Sequence, residues 1–563
     1  ESALIMRKQT KLVAVLSTAA LLAIGASMTS FAATGWVEED GTWVYYNRDE
    51  ERATEEWKKS GDNWFWLDDN GEMAVDQLIE DDDDYYYVNE SGAMVSNQWV
   101  AIENEDAGEE DEPDAYWYYF QANGKAYKRS DNASEDSISA KTINGKKYAF
   151  DEDGEMLYGW VQGGERQTDD DAWKESLYYF GDENDGAMSM GWRQISIVDD
   201  EYEDVQPGDE FWDEDQDRWF YFQTSGKKVV ADDNELKTKT INGQKYGFDD
   251  TGRMVSSWYS SEVATGATLA TNATPEQIGE WSSSFMYFSD PESGARVTKG
   301  WFKVVPGYYL QEEKYNDGDD YWYYADGDGE LYANEIKTIK GKKYAFDNYG
   351  RMIDGLVLLQ MASKTNSTGF ESNEIAAKIA DDSDSYPYDT EDNFDETVGK
   401  LAGGLGAGEY RFYYFGDADD GAMKTGRQTV EIDGDNFTFK FKDSSSTKGA
   451  GIHGMDDHKL YMGGKLVEAD SDDKYQVVVY KENGKTVTMT KMDTDEFLDE
   501  YTDGGKENKK GDTVWTVDAN KAKGVKLYLV NTSGSMVKNK SAAKDGEDYK
   551  FNVDNNEIGR AHV

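Results

Sequence analysis

The chain contains no cysteine, which removes disulfide frameworks and thiolate metal sites from consideration. Proline is scarce, at 6 residues in 563, so long stiff linkers are excluded. Only 3 histidines are present. His453 and His458 stand in a glycine-containing stretch without the helical spacing of a two-histidine zinc motif, so a solvated loop is expected there and no metal. No cofactor fingerprint, phosphate loop or Ser/His/Asp set appears. Basic residues are also short, with 58 Lys and Arg against 114 Asp and Glu and a net charge of −56. That balance excludes nucleic acid as a partner and makes an anionic membrane surface a poor one. Apart from a run near the N-terminus, no apolar stretch is long enough to span a bilayer. Cationic ligands and neutral sugars remain compatible.

What the chain does contain is aromatics and repetition. Aromatic residues make up 14%, with 38 Tyr and 17 Trp. An aromatic cluster is followed by a polar turn with glycine, then by methionine. Trp64-Phe65-Trp66 leads to Gly71 and Met73, and Tyr85-Tyr86-Tyr87 leads to Gly92 and Met94. The same order returns at Tyr178-Tyr179-Phe180 with Met188, at Tyr413-Tyr414-Phe415 with Met423, and at Leu527-Tyr528-Leu529 with Met536. Such self-similarity predicts stacked units, none of which buries its apolar face alone. The expected fold is all-β, a repeat solenoid of stacked β-hairpins with acidic loop insertions and no helical domain. Asp69-Asn70-Gly71 and Asn123-Gly124 read as hairpin turns, because Asn and Gly tolerate positive φ.

The ends differ from the middle. Met6, the basic Arg7, Lys8 and Lys11, the apolar run from Leu12 to Met28, and small residues at Ser30 and Ala32 read as a secretory signal peptide over 6–32. A secreted protein is therefore expected. Residues 557–563, Glu-Ile-Gly-Arg-Ala-His-Val, share nothing with the repeats and match a translated sequencing adapter. They are expected to be a non-native tail, with the natural chain continuing past residue 556. Between the ends, 33–100 carries short repeats: Gly41 and Gly61 open successive aromatic strands 20 residues apart. Residues 101–430 carry longer super-repeats: Ile143-Asn144-Gly145, Ile241-Asn242-Gly243 and Ile339-Lys340-Gly341 recur 98 residues apart, each leading to Tyr-x-Phe-Asp. Acidic insertions at 103–114, 199–216 and 381–396 are expected to be solvated loops. Residues 431–556 read as degenerate β repeats.

Gly35-Trp36-Val37, Gly159-Trp160-Val161, Gly191-Trp192 and Gly300-Trp301-Phe302 alternate with aromatic strands and Gly-x-Met turns. The pattern resembles the choline-binding-type cell-wall-binding repeats of Gram-positive surface proteins and the related glucan-binding repeats. The resemblance covers roughly 35–430 and weakly the remainder. It implies hairpins stacked into a left-handed solenoid, with ligand sites between consecutive hairpins. Two aromatics come from one repeat and a third, with a methionine, from the next. The ligand-binding residues expected on this basis are Trp36 with Trp43, Trp117, Trp160, Trp192, Trp219 with Tyr221, and Trp301 with Trp322 and Tyr324. The implied partner is a cell-wall polymer, either the choline of teichoic acid or a glucan. The same rings serve both: a quaternary ammonium is held by aromatic faces, and a sugar stacks its C–H face on them. Leu177, Phe285 and Leu356 stand where the pattern has tryptophan, so some sites are expected to be lost.

Other readings carry less. A strand aromatic in a small hairpin is more often core than ligand contact. Paired carboxylates suggest a glycosidase, but these acids lie in polar turns rather than in a pocket that would raise one pKa. Asp326-Gly327-Asp328 and Asp151-Glu152-Asp153 lack the distal glutamate of a calcium loop. The expected function is non-catalytic attachment to the cell envelope. The alternatives are the targeting region of a cell-wall hydrolase or glucan-processing enzyme, and a structural adhesin.

Overall fold

The computed structural model describes residues 34–134, 137–199, 215–363, 369–370, 373–484 and 486–563. The signal peptide read at 6–32 and most of the acidic segment at 199–216 lie outside them. The chain divides into two compact units, one ending at Val255 and the other spanning Ser256–Val563. No helix among the described residues is long and apolar enough to cross a membrane.

Among its described residues the first unit has seven two-stranded antiparallel sheets and one of four strands. Its hairpins are short: Gly35–Glu39 pairs with Thr42–Tyr46, Glu56–Ser60 with Asn63–Leu67, and Gln77–Asp81 with Asp84–Val88. Several close through two residues that both have positive φ, as at Asp40 and Gly41 (50° and 89°) or Asn144 and Gly145 (50° and 83°). That is the turn whose twist matches right-handed strands. The turns at Asp69-Asn70-Gly71 and Asn123-Gly124 do something else. They follow the second strand of a hairpin rather than joining its two strands. The Asp68 carboxylate accepts from the N–H groups of Asn70 and Glu72 at 2.9 and 2.8 Å, and Asn89 does the same for Ser91 and Ala93.

This second turn delivers the chain to a methionine that ties one hairpin to the one before it. Met73 N–H donates to the Trp43 carbonyl at 2.7 Å, while Ala74 N–H donates to Trp66 in its own hairpin. Met94 repeats the bond to Trp64, Met156 to Trp117 and Met254 to Trp219, each at 2.8 Å. The turn glycine of the next hairpin then lies on that methionine. A Cβ on Gly92 would stand 2.7 Å from Met73 Cε, and one on Gly124 would stand 2.5 Å from Met94 Sδ. Both glycines also have positive φ, so two independent constraints exclude a side chain. Small apolar clusters fill each junction, such as Trp117, Ile143, Tyr148, Phe150 and Met156.

The second unit begins in the same style, with Gly300–Val304 paired to Tyr321–Ala325 and Glu335–Ile339 to Lys342–Phe346. It then departs from it. Gly426–Ile432 and Asp435–Phe441 belong to a five-stranded sheet, and Tyr475–Asn483 lies central in a three-stranded one. Residues Glu557–His562 form a strand between Thr513–Thr516 and Lys550–Asp554, with Ala561 buried.

The all-β expectation needs correction, since the protein is mostly β with helices. Glu391–Ala407 is a 17-residue helix that begins inside the acidic stretch 381–396 read as a solvated loop and runs on past it. Thr390 caps it by accepting from Asn393 N–H, and Gly408 ends it at φ 79°. Phe394, Val398 and Leu405 are buried on one face. Its acids face lysines: Glu391 and Asp395 lie 2.5 and 3.0 Å from the Lys465 ammonium, which is 2% exposed. Composition suggested a loop because the acids dominate; tertiary lysines supply the counter-charge that a local reading lacks. Thr274 and Gln277 form a capping box on a second helix, Pro275–Ser283.

Gly124→Ala is expected to destabilise the first unit by about 1–3 kcal/mol, from left-handed strain and displacement of Met94. Thermal melts check this, and in a Met94→Ala background the cost should shrink towards the strain alone.

Candidate functional site: aromatic corners between hairpins

Cross-strand register decides which rings meet. The tryptophan at the second position of the first strand pairs opposite the penultimate residue of the second: Trp99 with Tyr119, Trp192 with Tyr221, Trp301 with Tyr324. The aromatic two residues earlier lies diagonal to it on the same face. The next hairpin then adds the Tyr-x-Phe of the 98-residue repeat.

Three corners result, with nearly the same dimensions. Trp99 lies 5.2 Å from Tyr119, 6.5 Å from Trp117, 4.8 Å from Tyr148 and 5.8 Å from Phe150. Trp192 lies 5.2 Å from Tyr221, 6.3 Å from Trp219, 4.9 Å from Tyr246 and 5.7 Å from Phe248. Trp301 lies 5.1 Å from Tyr324, 6.3 Å from Trp322, 4.8 Å from Tyr344 and 5.6 Å from Phe346. In each, the phenol of the next hairpin meets the tryptophan edge to face, at 67° to 70°. The central tryptophans are only partly buried, and so are Trp219, Tyr221, Trp322 and Tyr324, whereas Trp117 is 5% exposed.

The remaining expected residues fall into the same scheme with fewer walls. Trp36 meets its cross-strand partner Tyr45 at 5.3 Å and Phe65 of the next hairpin at 5.4 Å. Its expected companion Trp43 stands at the diagonal position, opposite Glu38, and its carbonyl receives the Met73 N–H. Trp160 meets Tyr179 at 5.0 Å and Phe220 of the following hairpin at 5.3 Å, with Leu177 at the diagonal position. Sequence reasoning passed over Trp57, which lies 5.2 Å from Trp66 and 5.1 Å from Tyr86. It also passed over Trp99 and the tyrosines 148, 246 and 344. Their 98-residue spacing was a usable signal; what it did not show is that these rings close a corner begun one hairpin earlier.

Carboxylates border the corners. Tyr148 OH donates to Asp185 at 3.1 Å, and the Trp322 indole donates to Asp419 at 3.5 Å. Behind the first corner, Tyr118 OH donates to Glu155 at 3.3 Å. Burial, then the neighbouring Asp151 charge, pushes Glu155 up to about 7, and burial pushes Asp151 up to about 6. His453 serves elsewhere, and its partly buried ring differs from the solvated loop expected. Its Nε2 faces the Val487 carbonyl at 2.8 Å, and Gly463 N–H donates to its Nδ1 at 3.2 Å.

Residues 53–99 match the choline-binding repeat family. Over those residues the chain carries a repeat of the choline-binding type. It is 24% identical over 278 residues to glucosyltransferase-S of Streptococcus mutans, a match covering 43% of this chain and 16% of that enzyme. Among solved structures, it is similar to the modular autolysin LytC of Streptococcus pneumoniae in complex with a synthetic peptidoglycan ligand. That match has 17% identity and TM-score 0.29, covering 59% of this chain and 56% of that one. The choline-binding domain of CbpL from the same species aligns at 19% identity and TM-score 0.25, over 43% of this chain and all of that one. The chain thus spans a small part of the curated relative it matches and just over half of the autolysin.

Because Glu155 and Asp151 hold protons more tightly when folded than unfolded, stability should fall as pH rises from about 4.5 through 7. Melts should show a higher Tm at pH 5.5 than at pH 7.5. Glu155→Gln should remove part of that difference, whereas relief of the general negative charge would persist in the variant.

Proposed function

We propose that this chain is a secreted binding module that attaches to a cell-wall polymer through its inter-hairpin aromatic corners. The observation that carries the reading is the threefold recurrence of one constellation, Trp99, Trp192 and Trp301 with their partners, with matching ring separations. A core aromatic only has to fill space, and different junctions can fill it differently. Recurrent partly exposed rings at fixed angles are what a repeated ligand would select. Within each unit the methionine bonds from hairpin to hairpin support a solenoid, which would space such sites along a polymer. Several weak sites on one polymer raise avidity without strong individual affinity.

Between the two ligands, a quaternary ammonium fits better than a neutral sugar. Cation–π attraction is worth roughly 0.5–2 kcal/mol per contact. The net charge of −56 adds long-range attraction for a cation. The choline of teichoic acid is therefore the ligand proposed, and glucan is the second reading, favoured by the glucosyltransferase match. The ligand residues proposed are Trp192 with Trp219 and Tyr221, Trp301 with Trp322 and Tyr324, Trp99 with Trp117, and Trp36 with Trp43. The relatives' partial coverage supports a module that accompanies other domains in longer proteins.

Choline titrated into the full chain should quench tryptophan fluorescence with midpoints in the millimolar range typical of weak exposed cages. Trp192→Ala and Trp301→Ala should each remove a fraction of the bound equivalents, and the double variant should elute from choline-bearing walls at lower free choline. Competition by glucan oligosaccharides and not by choline would shift the assignment to the sugar. Binding of neither would sink the reading.

A further inference from the structure

The Trp160 corner differs from the others in a way that points to its occupant. The residue after its turn is Lys228, where the other repeats have Met94, Met156 or Met254. The backbone is unchanged: Lys228 N–H donates to the Leu177 carbonyl at 2.7 Å, as Met254 does to Trp219. The side chain is not. Its ammonium lies 5.2 Å from the Trp160 ring centroid and 5.7 Å from that of Phe220. It donates to the carbonyl of Trp173 at 2.6 Å and to that of Lys174 at 3.3 Å. Lys228 is 1% exposed, Trp173 1% and Phe220 0%.

Two further substitutions belong to the same change. Leu177 replaces the diagonal aromatic, and a helical turn, Ala172–Glu175, enters between the strands Glu165–Arg166 and Tyr178–Asp182. That turn supplies Trp173, whose ring packs on Phe220 at 6.5 Å, and both carbonyls that receive the ammonium. A primary ammonium must place its N–H donors, whereas a quaternary one has none. Carbonyl acceptors aimed at the nitrogen are therefore the mark of a site built for a lysine. Burial pulls Lys228 down to about 7, opposed by the Asp249 charge of the next repeat and helped by that of Arg253.

We propose that the Trp160 corner is a self-liganded copy of the repeat site. The ammonium of Lys228 occupies the place that an external ammonium takes in the corners of Trp192 and Trp301, so this repeat locks two hairpins together instead of binding. The inference rests on the proposed function for the word copy; the intramolecular cage itself does not.

The experiment has arms that separate the two. At pH 6, side-chain ammonium spectra of lysine-labelled full chain should show one Nζ signal shifted upfield by the rings of Trp160 and Phe220, and absent in Lys228→Met. Lys228→Ala should lower Tm, and n-propylammonium chloride, which restores the lost atoms, should recover most of the drop. Equal sodium chloride or tetramethylammonium chloride should recover less, because neither donates to the two carbonyls. Trp160→Ala should leave the number of bound choline equivalents unchanged, while Trp192→Ala reduces it. A Lys228 signal at the ordinary position, or equal recovery by all three salts, overturns the cage. Loss of a choline equivalent in Trp160→Ala overturns the self-liganded assignment while leaving the proposed function standing. If wild type binds no choline, the proposed function fails, and the spectra and the alkylammonium recovery still decide the cage. Should Lys228→Ala not fold, the neutral isostere Lys228→Met and the spectra carry that decision.

Discussion

The repetition in this protein depends on the contact between the glycine of one turn and the residue that follows the turn before it, at several junctions a methionine. A two-stranded hairpin of five-residue strands is at best marginal by itself. Here each hairpin donates one N–H, that of Met73, Met94, Met156 or Met254, to a carbonyl of its predecessor, and the next glycine closes over the methionine side chain. The bond fixes the spacing and the glycine fixes the approach. A flexible thioether tolerates the variation in ring size from one junction to the next.

That spacing is what turns strand aromatics into corners. Register puts Trp192 opposite Tyr221 whatever the neighbours do, but the corner exists only when the next hairpin brings Tyr246 to 4.9 Å. The same geometry accepts different walls at Trp36, Trp57 and Trp160, and the partners a corner receives decide whether it holds a ligand, a lysine or only its own rings. Under the proposed function, stability and binding would draw on the same side chains. Removing a ring that serves both should cost more than either role alone.

The second unit shows how the pattern ends. From Gly426 onward the sheets have three or five strands, and the first of them shares a core with the 391–407 helix, in which Phe394, Phe412, Phe439 and Leu460 pack together. The ion pairs of Glu391 and Asp395 with Lys465 and Lys491 bind that helix to strands far away in sequence. Stability there comes from a two-sided core rather than from neighbour-to-neighbour stacking.

The sequence by itself determined the hairpins, because period-two aromatics and Asn-Gly turns are local signals. Asn144-Gly145 and Asn242-Gly243 form the turns their chemistry demands. It also pointed to the choline-binding type of repeat matched at 53–99 and to most of the tryptophans that meet at the corners. Tertiary structure decided the rest. Asp69-Asn70-Gly71 could not be told from a hairpin turn, since both need positive φ, and only the strand pairing shows that it leads to the methionine instead. The 391–407 helix was hidden by its acids; the partners of Glu391 and Asp395, Lys465 and Lys491, lie seventy or more residues away. The role of Lys228 was invisible for the same reason: a lysine in a polar turn reads as solvated until the fold sets Trp160, Phe220 and two backbone carbonyls around its ammonium.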